Sequence, residues 1–287
     1  FKLIFSGGGT GGHIYPALAI AKGFKNIKPD TNVLFVGAIN KMEMEIVPKA
    51  DFKIKGLWIS GFKRSLSLQN LLFPFKVFTS LLQSLFILLR FKPDAVIGTG
   101  GFASWPLLQV AQWLDYPTLI QEQNSFPGIA NRILGKKANR VCVAYENMEH
   151  YFPLYKLRLT GNPIRFNMLS SGITASAAKS FFGLDPQKPT LVVIGGSLGA
   201  KRINELVANE LFFFKTHDYQ ILWQCGALYF DKYKTLSCPE VVIKPFVYEM
   251  EKLYTAADII ISRAGAGSLS ELSCVGKPLI LIPSPNV

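Results

Sequence analysis

The chain is poor in the residues that build metal centres or covalent frameworks. Its four cysteines, Cys142, Cys225, Cys238 and Cys274, show no CxxC spacing, and its three histidines, His13, His150 and His217, lie far apart. That pattern suggests neither a metal site nor a disulfide scaffold, and a reducing compartment fits it best. Charged residues make up 17% of the 287, and acids are the scarcer kind: 19 Asp and Glu against 31 Lys and Arg, a formal charge of +12. An anionic partner follows in the broad sense of nucleic acid, a phosphate-bearing substrate or an acidic lipid surface. The basic residues form no single arm, and RNP, KH and zinc-finger patterns are missing, so no nucleic-acid partner is expected. No cleavable signal is visible, because Phe1, Lys2, Leu3, Ile4 and Phe5 run straight into glycines and read as a strand. A cytoplasmic protein is expected.

What is present is a long alternation of apolar strands and helical patterns. Short apolar runs at 3–5, 33–36, 95–97, 118–120, 141–143, 191–194, 221–223, 241–243, 259–261 and 279–282 are separated by helical stretches. This is the signature of an α/β protein with parallel sheets covered by helices on both faces. The 49% apolar content over this length supports two cores. The two halves also share one layout. Residues 1–21 run strand, glycine loop, helix, and 190–207 (TLVVIGGSLGAKRINELV) repeat it. Residues 93–124 and 257–286 each place an Asp before a strand, glycines after it, a helix, then Pro and a second strand ending in Asn. The expected fold is two doubly wound Rossmann-like domains facing across a cleft, residues 1–161 and 162–287, crossing at the TGNPIR turn. Ligands in such folds sit beyond the carboxyl ends of the strands. The second copy stops soon after its last strand and the chain starts inside its first, so about the last fifth to quarter of a protein of ordinary domain sizes is expected to be missing.

Three glycine-rich turns lead from strands into helices. Gly7, Gly8, Gly9, Thr10, Gly11 and Gly12 precede His13. Missing side chains there would let an anion approach backbone amides at a helix N-terminus. The spacing contains G-x-G-x-x-G, but the second strand ends Val36, Gly37, Ala38 without the acid that holds a ribose in dinucleotide enzymes. No GK[ST] occurs, so a P-loop is excluded. His13 lies where loop becomes helix, and with an ordinary pKa near neutrality it is a candidate base for a hydroxyl, or else a capping histidine. The second turn, Gly195, Gly196, Ser197, Leu198, Gly199, adds a hydroxyl suited to phosphate, although glycine here also serves tight packing. The third, running through Gly265, Ala266, Gly267, Ser268, Leu269 and Ser270, reaches Glu271, which is able to accept hydrogen bonds from a ribose diol or simply to favour a helix start. Gln121, Glu122, Gln123 and Asn124 cluster polar groups at a strand end, and Arg165 is a fork-shaped donor of the right kind for a diphosphate.

Residues 71–91, LLFPFKVFTSLLQSLFILLRF, approach the length of a membrane span but contain several polar groups. Three readings stay open: a span, a crossover helix packed on the sheet, and a helix whose N-terminal end sits in a membrane interface. In the third, Leu71, Leu72, Phe73 and Phe75 face the lipid beside Lys63, Arg64 and Lys76.

Taken in order, GGGTGGHIYPALAIA, QEQN, TGNPIR, VVIGGSLGAKRIN and SRAGAGSLSE resemble the MurG family within glycosyltransferase family 28, over essentially the whole chain. The resemblance implies a GT-B fold, and transfer of N-acetylglucosamine with inversion from UDP-N-acetylglucosamine to lipid I without a required metal or other cofactor. It also implies peripheral attachment to the cytoplasmic face of the bacterial plasma membrane, an anionic surface. By that resemblance Thr10, Gly11, Gly12, Asn124, Arg165, Gly196, Ser197, Val247, Ala266, Gly267, Ser268, Leu269, Ser270 and Glu271 contact the donor, with the Val247 backbone on the uracil edge. His13 would be the base for the acceptor's C4 hydroxyl, and Glu122 a second acid/base or positioning group. The chain departs from the family's pattern at Phe102, where many relatives carry tyrosine after the glycine pair. It departs again in stopping at Val287, before the relatives' glutamine pair. Three rivals remain: a UDP-N-acetylglucosamine 2-epimerase, a dinucleotide-dependent oxidoreductase, and a non-catalytic membrane-associated module.

Overall fold

The computed structural model describes residues 1–61, 72–164, 172–196 and 198–284. The chain divides into two units, Phe1–Ile164 and Arg165–Val287.

The first unit holds β1 (Lys2–Gly7), α1 (Gly11–Ile27), β2 (Asn32–Ala38), α2 (Glu43–Lys49), β3 (Lys53–Leu57), α3 (Phe73–Phe91), β4 (Ala95–Gly100), α4 (Ser104–Trp113), β5 (Thr118–Glu122), α5 (Ile129–Gly135), β6 (Arg140–Val143) and β7 (Leu157–Leu159). The strands form one parallel sheet in the order β3-β2-β1-β4-β5-β6-β7. Central strands are apolar throughout because both faces are covered. Leu3 and Phe5 pack with Ile14, Leu18 and Val47 on one side, while Ile4 packs with Leu107, Leu108 and Leu134 on the other. In α1, Ile14, Ala17, Leu18 and Ala21 recur at the helical period and are buried, along with Gly11 and Pro16.

The second unit holds α6 (Ala175–Phe181), β8 (Thr190–Ile194), α7 (Lys201–Asn209), α8 (Leu211–Thr216), β9 (Gln220–Gln224), α9 (Ala227–Tyr233), β10 (Val241–Lys244), α10 (Met250–Ala256), β11 (Ile259–Arg263), α11 (Ala266–Val275) and β12 (Leu279–Ile282). Its sheet is parallel with the order β10-β9-β8-β11-β12. Strand for strand this repeats β3-β2-β1-β4-β5. The aspartate shared by the two halves has one job in both. Asp94 accepts the amide of Lys2 at 2.8 Å, and Asp258 accepts the amide of Thr190 at 2.8 Å, so each tethers the start of its unit's central strand.

All ten apolar runs read from the sequence are strands. Two further strands, β3 and β7, were not among them. Both lie at the edges of the first sheet and are short and basic, with KIKGL partly exposed and LRL largely so. Edge strands bury one side at most, so they lack the apolar run by which central strands are recognised.

The helix α3 is apolar on both sides: Val77, Leu81, Leu85 and Phe91 pack against the core of the first unit together with its buried residues. Its buried positions are Ser80, Ser84, Ile87 and Leu88. The two serine hydroxyls donate to the carbonyls of Val77 and Ser80 at 2.8 and 2.7 Å, which satisfies them inside the protein. Large residues also face outward: Phe75, Phe78, Leu82, Phe86 and Leu89 are all exposed. The small serines let α3 lie close on α4, while the outward stripe has no cover among the described residues. Lys63, Arg64 and Leu71, three of the residues placed at a membrane from sequence, lie outside the described residues. Leu72 and Phe75 are exposed, Phe73 is half-buried, and Lys76 lies 6.0 Å from the Trp58 ring centroid with its amine donating to Ser60 at 3.1 Å.

Candidate active site

Strand order in the first sheet reverses direction between β1 and β4, and a crevice at the carboxyl ends of such a pair is where ligands settle. The glycine loop after β1 and the Gly100-Gly101 turn after β4 meet at this point, with His13 in the first turn of α1 between them. Two contacts hold the start of α1 to β4. Thr99 donates its hydroxyl to the His13 carbonyl at 2.7 Å, and the Gly8 amide donates to the Gly100 carbonyl at 3.4 Å. The imidazole needs the glycine pair. A Cβ on Gly100 would lie 3.0 Å from His13 Cδ2, and one on Gly101 would lie 3.1 Å from Nδ1 and run into the Gly8 carbonyl oxygen. Both glycines also adopt positive φ, +96° and +82°.

The Nδ1 atom of His13 lies 3.1 Å from the Thr10 hydroxyl. Burial lowers the His13 pKa below its ordinary value, and this outweighs the carboxylates of Glu122 and Glu43 and the Gly8 carbonyl, all of which favour the protonated ring. The imidazole is therefore neutral at pH 7. A neutral imidazole donates through one ring nitrogen and keeps the other as a proton acceptor.

Glu122 ends β5 and is 1% exposed. Its Oε1 accepts the Asn124 amide and the Asn124 side-chain Nδ2, both at 3.0 Å. Its Oε2 accepts the Gly128 amide at 3.1 Å and Asn131 Nδ2 at 2.9 Å. Four donors use both oxygens, so this carboxylate folds residues 122–131 into a compact turn beside His13. The same network presents Asn124, which is exposed, at the surface of the site. Next to it, Gln123 donates to the Thr99 carbonyl at 2.8 Å and to Gln121, and Asn162 Nδ2 donates to the Gln123 carbonyl at 3.1 Å.

In the second unit the turn after β8 is held by Gln224, which donates to the Gly196 carbonyl at 3.0 Å, and by the Gly199 amide, which donates to the same carbonyl at 3.0 Å. Asn204 of α7 is fully buried; it donates to the Cys225 carbonyl at 2.8 Å and accepts from the Trp223 indole at 2.9 Å, locking the helix to β9. Lys201 and Arg202 supply two cations in the first turn of α7. After β11, Gly265 precedes α11, and Ala266, Gly267, Ser268, Leu269, Ser270 and Glu271 are all half-exposed along its first two turns. Tyr254 donates its hydroxyl to Glu271 at 3.3 Å. Val247 is 3% exposed, and its backbone N–H and C=O have no partner among the described residues. Arg165 and Ser197, both expected at the donor, lie outside the described residues. No cluster of three His, Cys, Asp or Glu side chains occurs among the described residues.

Sequence reasoning passed over Glu43, Thr99, Asn131 and Asn204. Each is a polar residue whose side-chain partners lie five or more positions away in the chain, and nothing local separates Glu43, which is buried, from Glu45, which is exposed. The departure at Phe102 has a structural counterpart. Its ring lies over the loop, so that a Cβ on Gly9 would sit 2.8 Å from Cε1.

Residues 3–143 match the model of the glycosyltransferase family 28 N-terminal domain, and residues 190–287 that of the family's C-terminal domain. A protein of Flavobacterium psychrophilum, named UDP-N-acetylglucosamine--N-acetylmuramyl-(pentapeptide) pyrophosphoryl-undecaprenol N-acetylglucosamine transferase, is 55% identical over 100% of this chain and 78% of its own length. Among solved structures, Acinetobacter baumannii MurG is 28% identical with a TM-score of 0.69, over 99% of this chain and 79% of that one. The UDP-GlcNAc 2-epimerase of Neisseria meningitidis, solved with UDP-GlcNAc, has a TM-score of 0.64 at 16% identity over 98% of this chain and 82% of that one, a likeness of fold alone.

Proposed function

The chain belongs to glycosyltransferase family 28, and on that premise we propose that it transfers N-acetylglucosamine from UDP-N-acetylglucosamine, with inversion, to the C4 hydroxyl of the N-acetylmuramyl unit of lipid I, forming lipid II. The observation that carries this reading is the neutral, loop-held imidazole of His13 at the strand-order reversal of the first unit. A single displacement needs a base for the incoming hydroxyl and fixed positive potential for the departing UDP. His13 supplies the first. For the second, the N-termini of α7 and α11, Gly196, Ser197 and Arg165 are the donor groups of the second unit, with the free backbone of Val247 facing the uracil edge and Glu271 the ribose. Thr10, Gly11, Gly12 and Asn124 complete the donor contacts from the first unit, which otherwise serves the acceptor. The near relative named for this reaction shares more than half of the residues, whereas the epimerase likeness stops at the fold.

Calorimetry separates this reading from the oxidoreductase. UDP and UDP-N-acetylglucosamine bind and NAD does not; the reverse result contradicts the proposal.

The pH dependence follows from the direction of the His13 shift. Because burial depresses its pKa, the base remains unprotonated below the ordinary histidine value of about 6.5. The acidic limb of kcat/KM is therefore expected below pH 6.5, and it disappears when His13 is replaced. A limb above 6.5 would assign the titration to another group.

Attachment to an anionic membrane surface at the cytoplasmic face is part of the same proposal, since the acceptor is lipid-linked. It is supported by the outward stripe of α3, the one described helix long and apolar enough to cross a bilayer, whose inner side, with Ser80, Ser84, Ile87 and Leu88, packs on protein instead. Replacing Phe78 and Phe86 by Ser is expected to weaken partitioning onto anionic vesicles by roughly ten-fold or more. Partitioning of the unaltered protein should fall with added salt. Unchanged partitioning of the variant removes α3 from the contact.

A further inference from the structure

Glu43 is a fully buried acid at the first position of α2, and the mechanism above makes no use of it. Its two oxygens reach two different places. Oε1 accepts the amide of Ala38, the last residue of β2, at 2.9 Å, and Oε2 accepts the amide of Gly9, inside the first glycine loop, at 3.1 Å. The side chain fills the space left by two more glycines. A Cβ on Gly37 would lie 2.5 Å from Glu43 Cγ, and one on Gly8 would lie 2.6 Å from Cδ. The loop bends at Gly9 with φ +86°, directly before the Thr10-to-His13 segment whose hydroxyl meets the imidazole.

A negative group placed under the loop has two effects. It occupies the Gly9 amide, so an anion approaching this loop is left with the first-turn amides of α1 at Gly11 and Gly12, which have no acceptor within the helix. It also adds to the negative potential that Glu122 exerts on His13 from β5, the two being the carboxylates that act on the ring.

We propose that Glu43 is a positioning residue for the transfer reaction, tying the β1–α1 loop to the end of β2 so that the loop leading into His13 keeps its place. The inference rests on His13 being the base in the reading above. A carboxylate suits the task because one backbone donor meets each of its oxygens, and an amide side chain would turn an N–H toward one of them.

The test is Glu43→Gln, nearly the same shape with one acceptor oxygen and no charge. Three quantities are read: kcat in lipid I transfer, the affinity for UDP by calorimetry, and the His13 titration followed by NMR in protein labelled at histidine. The expected result is a fall in kcat of roughly 10- to 100-fold with UDP affinity within about two-fold of the unaltered protein, together with a His13 titration displaced to lower pH. The sign follows from the charge, because removing a nearby anion makes the imidazolium harder to form. An unchanged kcat with an unchanged His13 titration overturns the inference. So does a loss of UDP affinity matching the loss of turnover, which would make Glu43 a support of the donor site. If the variant does not fold, amide exchange in the unaltered protein decides: Gly9, half-exposed in a loop, should be protected by its bond to Glu43, and exchange at the rate of a free peptide overturns the tether. Absence of transfer by the unaltered protein counts against the proposed function alone, since the titration and the exchange are read without turnover.

Discussion

Replacing His13 by alanine is expected to lower transfer by roughly 100- to 10,000-fold, with the affinity for UDP-N-acetylglucosamine little changed. The size follows from what is removed: the one neutral imidazole of the site, placed where loop becomes helix and held by Thr10 on one side and the glycine pair on the other. Neither of the carboxylates that act on the ring is poised to take over. Glu122 has both oxygens committed to four donors, and Glu43 is buried with both of its own committed to two. Donor affinity is spared because the groups proposed to hold the nucleotide lie mostly in the second unit. Steady-state kinetics should show the loss in kcat, and calorimetry with UDP should show no matching loss. Full activity in the variant would remove His13 as the base.

The second large effect concerns stability as well as rate. Glu122→Ala strands the amides of Asn124 and Gly128 and the side-chain donors of Asn124 and Asn131; Asn131 is buried, whereas Asn124 and Gly128 are exposed and can turn to water. Asn131 already carries a buried carbonyl oxygen without a partner, and its remaining contact is a 3.3 Å bond from Nδ2 to the Gln121 carbonyl. A loss of about 2 kcal/mol is expected, mainly from the one buried donor left unsatisfied, corresponding to roughly 4–8 °C in Tm for a unit of this size. Activity falls too, because the turn that carries Asn124 and faces His13 loosens. Glu122→Gln keeps one acceptor and should lose less stability. Thermal unfolding of both variants separates a structural carboxylate from a purely catalytic one, for which Tm would be unchanged while kcat collapsed.

That distinction was not available from sequence. Glu122 stands out there as an acid at a strand end in a polar cluster, which is also how a catalytic acid looks; only its four hydrogen-bond partners reveal how its oxygens are spent. The broad architecture was far more legible. Central strands such as VLFV and LVVI are covered on both faces and so read as unbroken apolar runs, and the duplicated aspartate, glycine turn and helix announce a repeated unit. His13 was legible for a related reason, since glycines crowd one side of it within a few residues. The residues that shape the site from below were hidden. Glu43 and Glu45 share one helical turn, and the tertiary fold alone decides which is buried. The α3 stripe was read only at its N-terminal end. A run of mixed Phe, Leu and Ser does not say which side faces the protein, and here small serines turned inward because they admit a close helix neighbour.

The central claim is tested most directly by incubating the protein with UDP-N-acetylglucosamine labelled in the sugar and a lipid I analogue, then identifying the labelled product. The account predicts a β-linked N-acetylglucosaminyl lipid and an equal amount of UDP, formed by the unaltered protein and nearly abolished by His13→Ala. Release of UDP with a free epimerised sugar, or tight donor binding with no label in the lipid, would contradict it.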